Sequence, residues 1–322
     1  MLALLVSSAA LAQAPATSSP ASPDGFPAWA YPWAPEFKAA ADDGLPTHVP
    51  DSTAAFTIAQ ERDLFFAPDW HPDDHPPMPA VVAHGRTPDV RACGSCHRVE
   101  GTGGPENASL AGLPAAYIVQ QMAEYKSGVR KFSGPRRSPV LLMTAIAKAT
   151  TDADAQAAAA YFSSLKPKPV IKVVETDTVP ATEIARVFYM LAKDGGSEPI
   201  GERIVEVPDD VAQFEHRDSR SQFTAYVPQG SIARGETLAR TGKSGTETVT
   251  ISCAGCHGPG LQGLGAIPGI AGRSPSYLVR QMYDIQQHSR QGSGAAMMAP
   301  VVERLGHSDM IALAAYISSL KP

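Results

Sequence analysis

Three features that would mark common classes of protein are missing or scarce in the sequence. No long run of Lys or Arg occurs and the formal net charge is −5, which argues against nucleic acid as the main partner. Beyond the N-terminus, no stretch is long and apolar enough for a transmembrane helix, so we expect a soluble mature protein. Cysteine is scarce, with four in 322 residues, and all four lie in two short motifs. Any chemistry of the thiols is therefore confined to two places in the chain.

The N-terminal region divides into two segments. Residues 1–12 are apolar and end in Ala-Leu-Ala, which is typical of the core and cleavage site of a signal peptide. The stretch is too short for a stable membrane anchor, so it predicts export to the periplasm. Residues 13–80 are rich in Pro, Ala and Asp, and such a density of Pro breaks helices and favours extended segments. We interpret this second segment as an extension that lies over a folded body.

The cysteines belong to two copies of the motif Cys-x-x-Cys-His, about 160 residues apart. A disulfide in each motif would give the histidine no role, and no thioredoxin-like βαβ pattern surrounds either motif. A zinc ribbon would place its two Cys-x-x-Cys pairs about 15–20 residues apart. Neither explanation accounts for every residue of the motifs. Their members are Cys93, Cys96 and His97 in the first copy, and Cys253, Cys256 and His257 in the second.

Covalently bound haem c accounts for both cysteines and the histidine of each motif. The thiols can add to the two vinyl groups of a haem and form thioethers. Positions i, i+3 and i+4 of a helical turn share one face, so the histidine follows the cysteines onto the side of the iron. There the imidazole serves as an axial ligand. The sequence therefore predicts two haem c groups, one at each motif.

An internal repeat follows each motif and decides the predicted architecture. "LAGLPAAYIVQQM" follows the first motif and "IAGRSPSYLVRQM" the second, and two later stretches end in "AAYFSSLKP" and "AAYISSLKP". The apolar spacing within each copy predicts helices, and β-branched stretches between the copies predict short strands. We therefore expect a mainly α chain of two helical modules with a partly β connector. The predicted segments are the extension 13–80, the first module 81–167, the connector 168–229 and the second module 230–322.

A methionine at the sixth iron position would give a six-coordinate electron carrier with a raised potential. Met122 and Met282 occupy equivalent positions, but they lie inside predicted helices, where methionine is more often core filler. Met143 and Met298 also match, and each lies 18 residues before the tyrosine of the final helix. We expect both in irregular chain, from which the thioether can reach the iron opposite the histidine. Met143 and Met298 are therefore the predicted ligands. Met297 is the alternative for the second haem, and it is excluded only because the alignment of the two copies places Met298 opposite Met143.

With these motifs the sequence resembles a diheme cytochrome c built of two fused class I c-type cytochrome modules. The resemblance covers roughly residues 81–167 and 230–322, and rests on the two motifs, the "LAG" and "IAG" segments, the paired methionines and the matched endings. In that family the first and last helices of a module pack across each other, and "GSIARGETLA" resembles such a first helix. The resemblance implies a periplasmic electron carrier whose haems are attached after export. It also implies the axial pairs His97/Met143 and His257/Met298.

The first module departs from the family pattern at one position. Family members usually have a proline just before the Leu-Ala-Gly segment, where it helps to hold the proximal histidine. Pro268 occupies that position in the second module, whereas the first has Ala108. The loop that holds His97 is therefore the less certain part of the resemblance.

The predicted function is transfer of single electrons between redox partner proteins, namely a donor dehydrogenase and an acceptor oxidase or reductase. The haems supply the redox chemistry while the protein fixes their ligands and excludes water, so no catalytic residue is predicted. One alternative is a dedicated cytochrome subunit in a stable complex with a periplasmic dehydrogenase, because plain two-module carriers lack the extension and connector. A second alternative is a diheme peroxidase-type enzyme with one five-coordinate iron, against which the paired methionines count.

Two polar clusters outside the motifs have alternative interpretations. The motif "HPDDHPPMP" could bind a metal through His71, Asp73, Asp74 and His75, although we expect a solvated Pro-rich loop. A basic cluster in the first module is interpreted as a solvated face, and the alternative is contact with haem propionates or an acidic partner. Its members are Lys126, Arg130, Lys131, Arg136 and Arg137, and Arg273 and Arg280 are further propionate candidates.

Overall fold

The computed structural model describes residues 25–38, 41–134 and 137–322. The predicted signal peptide, residues 1–12, and Arg136 lie outside these ranges. Helices dominate the described chain, and short strands occupy the connector. This confirms the predicted mainly α fold with some sheet.

The stretch before residue 80 has few regular elements, because prolines interrupt hydrogen bonding. Aromatic side chains attach it to the rest of the molecule: Trp29, Tyr31 and Trp70 are all buried. The indole N–H of Trp70 donates a hydrogen bond to the carbonyl of His216 at 2.7 Å. The elements are two 3-10 turns (Ala28–Ala30 and Pro72–Asp74), strands β1 (Pro46–Thr47) and β2 (Phe56–Thr57), and helix α1 (Ile58–Arg62).

Five helices of the first module surround an apolar core that contains Val82 and Phe162. The third of them ends at Ser127 and is capped by Gly128, whose left-handed backbone (φ 78°) favours glycine. The last begins at Asp152, where the Thr151 hydroxyl caps it by accepting a hydrogen bond from a backbone amide. The helices are α2 (Ala80–Ala83), α3 (Cys93–His97), α4 (Ala115–Ser127), α5 (Ser138–Ala149) and α6 (Asp152–Ser164).

The connector contains a three-stranded sheet in the order β3 (Ile171–Glu175), β9 (Phe223–Val227) and β8 (Val205–Pro208). Strands β3 and β9 are parallel, with Ile171 opposite Phe223, and β8 and β9 are antiparallel. Two smaller antiparallel pairs, β4-β7 and β5-β6, complete it. The elements are β3 (Ile171–Glu175), β4 (Thr178–Pro180), β5 (Thr182–Ala185), β6 (Phe188–Leu191), β7 (Ser197–Pro199), β8 (Val205–Pro208), α7 (Val211–Glu215) and β9 (Phe223–Val227).

The second module is organised around two helices that cross in close contact, α8 (Ser231–Thr241) and α12 (His307–Ser319). A Cβ atom at Gly235 of α8 would lie 1.9 Å from the carbonyl oxygen of Ala312 on α12, so glycine is required at the crossing. This is the packing of first and last helices that the resemblance implies. The elements are α8 (Ser231–Thr241), β10 (Lys243–Ser244), β11 (Glu247–Thr248), α9 (Ala254–His257), α10 (Pro275–Gln286), α11 (Ser293–Val302) and α12 (His307–Ser319). Within the described residues, none of the helices has the length and apolarity needed to cross a membrane.

Candidate haem sites

Each motif histidine is held by a backbone carbonyl eleven residues further along the chain. The Nδ1 atom of His97 lies 2.8 Å from the carbonyl oxygen of Ala108, and Nδ1 of His257 lies 2.8 Å from that of Pro268. Because a carbonyl can only accept, Nδ1 is the donor in both rings and Nε2 keeps a free lone pair. Burial lowers the pKa of both rings, which favours the neutral form that binds a metal.

The substitution of proline by Ala108 therefore leaves the orientation of His97 intact. The bond needs a backbone carbonyl, and every residue type supplies one. The departure from the family pattern at this position has no visible consequence for the proximal ring.

A single cavity of about 540 Å³ runs between the two modules, and its lining is mainly apolar. Both motifs open into it. An apolar space of this kind, with thiols and imidazoles on its wall, fits the porphyrin of a covalently attached haem. Every predicted site residue lines this cavity: Cys93, Cys96, His97, Met143, Cys253, Cys256, His257 and Met298.

The two predicted methionine ligands lie in helices, so the expectation of irregular chain at these positions is wrong. Met143 lies in α5 and Met298 in α11. Ala and Met recur in both segments and Leu in α5, and these residues favour helix; Pro139 is tolerated because it falls in the first turn of α5. Met298 packs against the core of the second module, whereas its neighbour Met297 is 68% exposed. Met122 and Met282 also line the cavity, from α4 and α10.

Arginines from both modules meet at the centre of the cavity. Arg130 and Arg290 lie at equivalent positions, each 33 residues beyond the histidine of its motif, and they pair as an antiparallel bridge. The Nη2 atom of Arg130 donates to the hydroxyl of Tyr277 at 3.2 Å and to Oε1 of Gln281 at 3.0 Å. The reverse contacts follow the same pattern: Nη2 of Arg290 donates to the hydroxyl of Tyr117 and to Oε1 of Gln121, both at 3.0 Å.

This arrangement makes the contact between the modules approximately two-fold symmetric. Sequence reasoning missed Arg290, although its offset in the repeat equals that of Arg130 and could have identified it. Arg130 and Arg137 are buried, so the interpretation of the basic cluster as a solvated face is wrong for these two residues.

Two arginine N–H groups at the cavity fit the acidic edge of a haem. The Nε atoms of Arg273 and Arg290 are buried and have no hydrogen-bond partner among the described residues. Burial also lowers the pKa of Arg273 to about 10, because its charge is removed from water. A carboxylate such as a haem propionate would supply both the missing acceptor and the missing counter-charge.

The extension contributes residues that sequence reasoning did not assign to the site. Tyr31 lines the cavity, and its hydroxyl donates to Oδ1 of Asp284 on α10 at 2.7 Å. Arg280 donates to the carbonyl of Ala30 at 2.8 Å, and Arg137 donates to that of Pro32 at 3.1 Å. Both modules therefore hold the same segment of the extension, which forms part of the wall of the cavity.

The motif "HPDDHPPMP" is largely solvated, as expected, with Pro72, Asp73, Asp74, Pro76 and Pro77 exposed, but its first histidine is buried and attaches the extension to the connector. His71 is only 6% exposed and lies 3.2 Å from Oδ1 of Asp218 in the connector. His75 pairs with Asp69 at 3.1 Å, and Asp74 accepts from Arg220. Over the described ranges, no group of three or more His, Cys, Asp or Glu side chains could hold a metal ion.

The model of the family named Cytochrome c matches residues 82–166 and 232–321, which together make up more than half of the chain. The chain belongs to the cytochrome c family. Two such domains mean two covalently bound haem c groups, as predicted from the motifs, and the protein is a diheme electron carrier.

Among curated proteins, the chain is 27% identical to "Cytochrome c4" of Azotobacter vinelandii over 71% of this chain and 84% of that protein. It is 25% identical to "Thiosulfate dehydrogenase electron acceptor" of Thiomonas intermedia over 72% of this chain and 80% of that protein.

Similar solved structures include a thiosulfate dehydrogenase and a cytochrome c4. A thiosulfate dehydrogenase of Marichromatium purpuratum has a TM-score of 0.49 and 28% identity, and the match covers 72% of this chain but only 37% of that one. Reduced cytochrome c4 of Pseudomonas stutzeri has a TM-score of 0.46 and 24% identity, over 71% of this chain and 93% of that one.

Proposed function

We propose that the protein relays single electrons through two haems that are each ligated by histidine and methionine. The proposed axial pairs are His97 with Met143 and His257 with Met298, and the proposed thioether links are those of Cys93 and Cys96, and of Cys253 and Cys256. The observation that carries the proposal is that all these side chains line one cavity shared by the two modules. Haem c, when bound, supplies the one-electron chemistry.

The protein's own residues have three tasks in this relay. The carbonyls behind His97 and His257 fix the imidazole rings so that Nε2 points into the cavity. The buried arginines at the centre of the cavity supply positive charge where propionates would lie. Tyr31 and its neighbours in the extension exclude water from the space between the modules, and burial is one of the factors that set a haem potential.

Export to the periplasm and exchange of electrons with other redox proteins belong to the same proposal. The apolar segment at residues 1–12 supports export, because haem c proteins with such a leader are completed after secretion. The proposed partners are a donor dehydrogenase and an acceptor oxidase or reductase.

A second candidate function is that of a dedicated electron-accepting subunit of a periplasmic dehydrogenase. The extension and connector support it, because both are hydrogen-bonded to the first module and a plain relay needs neither. Relatives named as electron acceptors of thiosulfate dehydrogenase suggest the class of catalytic partner. Co-purification of the tagged protein with a catalytic subunit would favour this candidate over a free carrier.

The ligand assignment is tested by removing each thioether in turn. In the purified haem-loaded protein, Met143→Ala and Met298→Ala should each remove about half of the weak red charge-transfer band of methionine-ligated ferric haem, because one of two irons loses its ligand. Met297→Ala is the matched control and should leave the band unchanged. Loss of the band in Met297→Ala, with no loss in Met298→Ala, would overturn the assignment for the second haem.

A further inference from the structure

The loops that hold the two motif histidines differ in one restraint. We call residues 105–111 the first proximal loop and the equivalent residues 265–271 the second proximal loop. The second loop contains Pro268, whose ring fixes its own φ angle, whereas Ala108 in the first loop leaves that angle free. The carbonyl that orients the histidine of the first module therefore needs another source of rigidity.

An arginine of the second module binds the first proximal loop directly. The Nη1 atom of Arg273 donates to the carbonyl of Ser109 at 2.9 Å and to its hydroxyl at 2.6 Å. The Nη2 atom of the same side chain donates to the carbonyl of Ala111 at 3.1 Å. Ser109 directly follows Ala108, whose carbonyl holds His97. The planar guanidinium thus fixes two carbonyls of the loop at once.

A second arginine of the same module holds the loop at its other end. The Nη2 atom of Arg280 donates to the carbonyl of Pro105, and Nη1 donates to that of Ala30 in the extension at 2.8 Å. Arg273 and Arg280 are only 7% and 5% exposed. The second module therefore contacts the first proximal loop on both sides of Ala108.

The environment of Arg273 makes its hydrogen bonds hard to replace. Burial lowers the pKa of Arg273 to about 10, and the groups that oppose this effect are the hydroxyls of Tyr277 and Tyr117 rather than a carboxylate. A buried charged donor that loses its acceptor is left without compensation for the water it has given up. The carbonyls of Ser109 and Ala111 are therefore bound to a group that has no better partner within reach in the described part of the chain.

The first module does not hold the second proximal loop in return. The residue equivalent to Arg273 is Leu113, which is buried and apolar, and the residue equivalent to Arg280 is Gln120, which donates to other side chains. Among the described residues, no hydrogen bond runs from the first module to the second proximal loop. The arginine contacts occur only where the proline is missing.

We infer that Arg273 is a positioning residue for the first haem. By holding the first proximal loop from the second module, it replaces the proline that this loop lacks and keeps the carbonyl of Ala108 on Nδ1 of His97. The inference rests on the proposed ligation of iron by His97. A hydrogen bond of this kind raises the basicity of the ligating imidazole. The axial ligand of the first haem is thus controlled by contact between the modules, whereas that of the second is controlled within its own module.

Exchange of the Nδ1 proton of each histidine with water measures how often its loop opens. In the reduced, haem-loaded protein, NMR with nitrogen-labelled histidine follows both protons. Arg273→Leu introduces the residue found at the equivalent position of the first module. It should raise the exchange rate of the His97 proton at least about tenfold and change that of His257 by less than about twofold. A tenfold change in the opening equilibrium is about 1.4 kcal/mol, which a lost hydrogen bond from a charged donor can supply.

Restoring the proline tests whether the two devices are equivalent. The backbone amide of Ala108 has no hydrogen-bond partner among the described residues, so Ala108→Pro removes no bond. In the double variant with Arg273→Leu, the His97 exchange rate should return to within about threefold of its original value. Arg290→Gln is the matched control, because Arg290 also bonds across the modules but does not contact the first proximal loop. It should change the rate by less than about twofold.

A second substitution separates the charge of Arg273 from its geometry. Arg273→Lys keeps the positive charge but lacks the planar fork that reaches two carbonyls, and it should raise the His97 exchange rate at least about threefold. An unchanged rate in both Arg273 variants, an equal rise for His257, or a double variant that Ala108→Pro does not restore would each overturn the inference.

The same spectra separate this inference from the proposed ligand assignment. The ring C–H protons of a histidine bound to haem iron are shifted far upfield by the ring current of the haem. Ring protons of His97 at ordinary positions would count against the proposed axial ligand. Upfield-shifted ring protons together with an unchanged exchange rate in the Arg273 variants would count against the positioning role alone.

Discussion

The residue that orients each proximal histidine acts through its backbone. Ala108 and Pro268 accept the same hydrogen bond from Nδ1 at the same distance of 2.8 Å. The two residues differ in side chain, but their backbone carbonyls accept the hydrogen bond in the same way. The family pattern has proline at this position, whereas orienting the histidine requires only a backbone carbonyl.

His75 is predicted to stabilise the fold mainly at low pH. A hydrogen bond to Asp69 raises the pKa of His75, and burial opposes this only partly. Because the folded pKa exceeds the unfolded one, the stabilisation is complete below the unfolded pKa and is lost as pH rises through the folded pKa. His75→Gln should therefore lower the free energy of unfolding by up to about 1 kcal/mol near pH 5.5 and by less near pH 9.

Chemical denaturation of the haem-loaded protein at both pH values measures this effect. Asp69→Asn is the control and should remove the same pH dependence, and the double variant should add nothing further. A loss of stability in His75→Gln that is equal at both pH values would show that the ion pair is not the cause.

The sequence predicts chemistry at the residue scale better than it predicts burial. Spacing alone gave the six cysteine and histidine positions that line the cavity. The solvated interpretations of His71, Arg130 and Arg137 are wrong because each side chain is covered by a segment distant in the chain. Local composition carries no information about such long-range cover.

At the scale of elements, the crossing of α8 and α12 should tolerate no side chain at Gly235. In Gly235→Ala, the new Cβ atom would overlap the carbonyl oxygen of Ala312, so the helices must separate. We expect a loss of more than about 2 kcal/mol in the free energy of unfolding. Gly294→Ala in α11 is the control, since only Nε2 of Gln120, at 3.9 Å, lies near its Cβ position. Equal stability of the two variants would contradict the close crossing.

The extension is predicted to stabilise the molecule through one hydroxyl group. Burial raises the pKa of Tyr31, so its hydroxyl stays protonated and donates to Asp284. Tyr31→Phe leaves that buried carboxyl with one donor fewer and should cost about 1.5–3 kcal/mol in the free energy of unfolding. Glu36→Gln, at an exposed position of the same segment, should change it by less than about 0.5 kcal/mol. A similarly small effect for Tyr31→Phe would mean that this bond does not hold the segment.

Helix α5 shows why element type was mispredicted around the methionines. We expected irregular chain there because a loop would let the methionine thioether reach the iron. Instead, the Leu, Met and Ala residues of the segment favour helix, and Pro139 does not prevent it because it falls in the first turn, where its missing N–H is no loss. The position of a proline relative to the start of a helix decides its effect.

At the scale of the whole molecule, the internal repeat predicts two modules but not the way they face each other. The symmetric contacts of Arg130 and Arg290 lie across the module boundary, about 150–170 residues away in sequence from their partners. Equal offsets in a repeat identify equivalent residues, yet they contain no information about which surfaces meet.

Arg290 is predicted to couple the modules. Arg290→Gln removes charged donors from the side chains of Tyr117 and Gln121 and should lower the free energy of unfolding by about 1.5–3 kcal/mol. Arg240→Gln is the control, because its ion pair with Glu236 is exposed and should contribute less than about 1 kcal/mol. Thermal unfolding followed at the haem absorption band measures both. If the two variants lost equal stability, the central bridge would not hold the modules together.

The central claim is that one chain holds two six-coordinate haems that exchange electrons with each other and with partners. Optical spectra recorded during a redox titration of the purified, haem-loaded protein test it most directly. The account predicts two low-spin haems per chain, each with the charge-transfer band of methionine-ligated ferric iron, and no binding of carbon monoxide by the reduced protein. One high-spin haem, or a haem that readily binds carbon monoxide or cyanide, would contradict the relay and identify a site open to ligands.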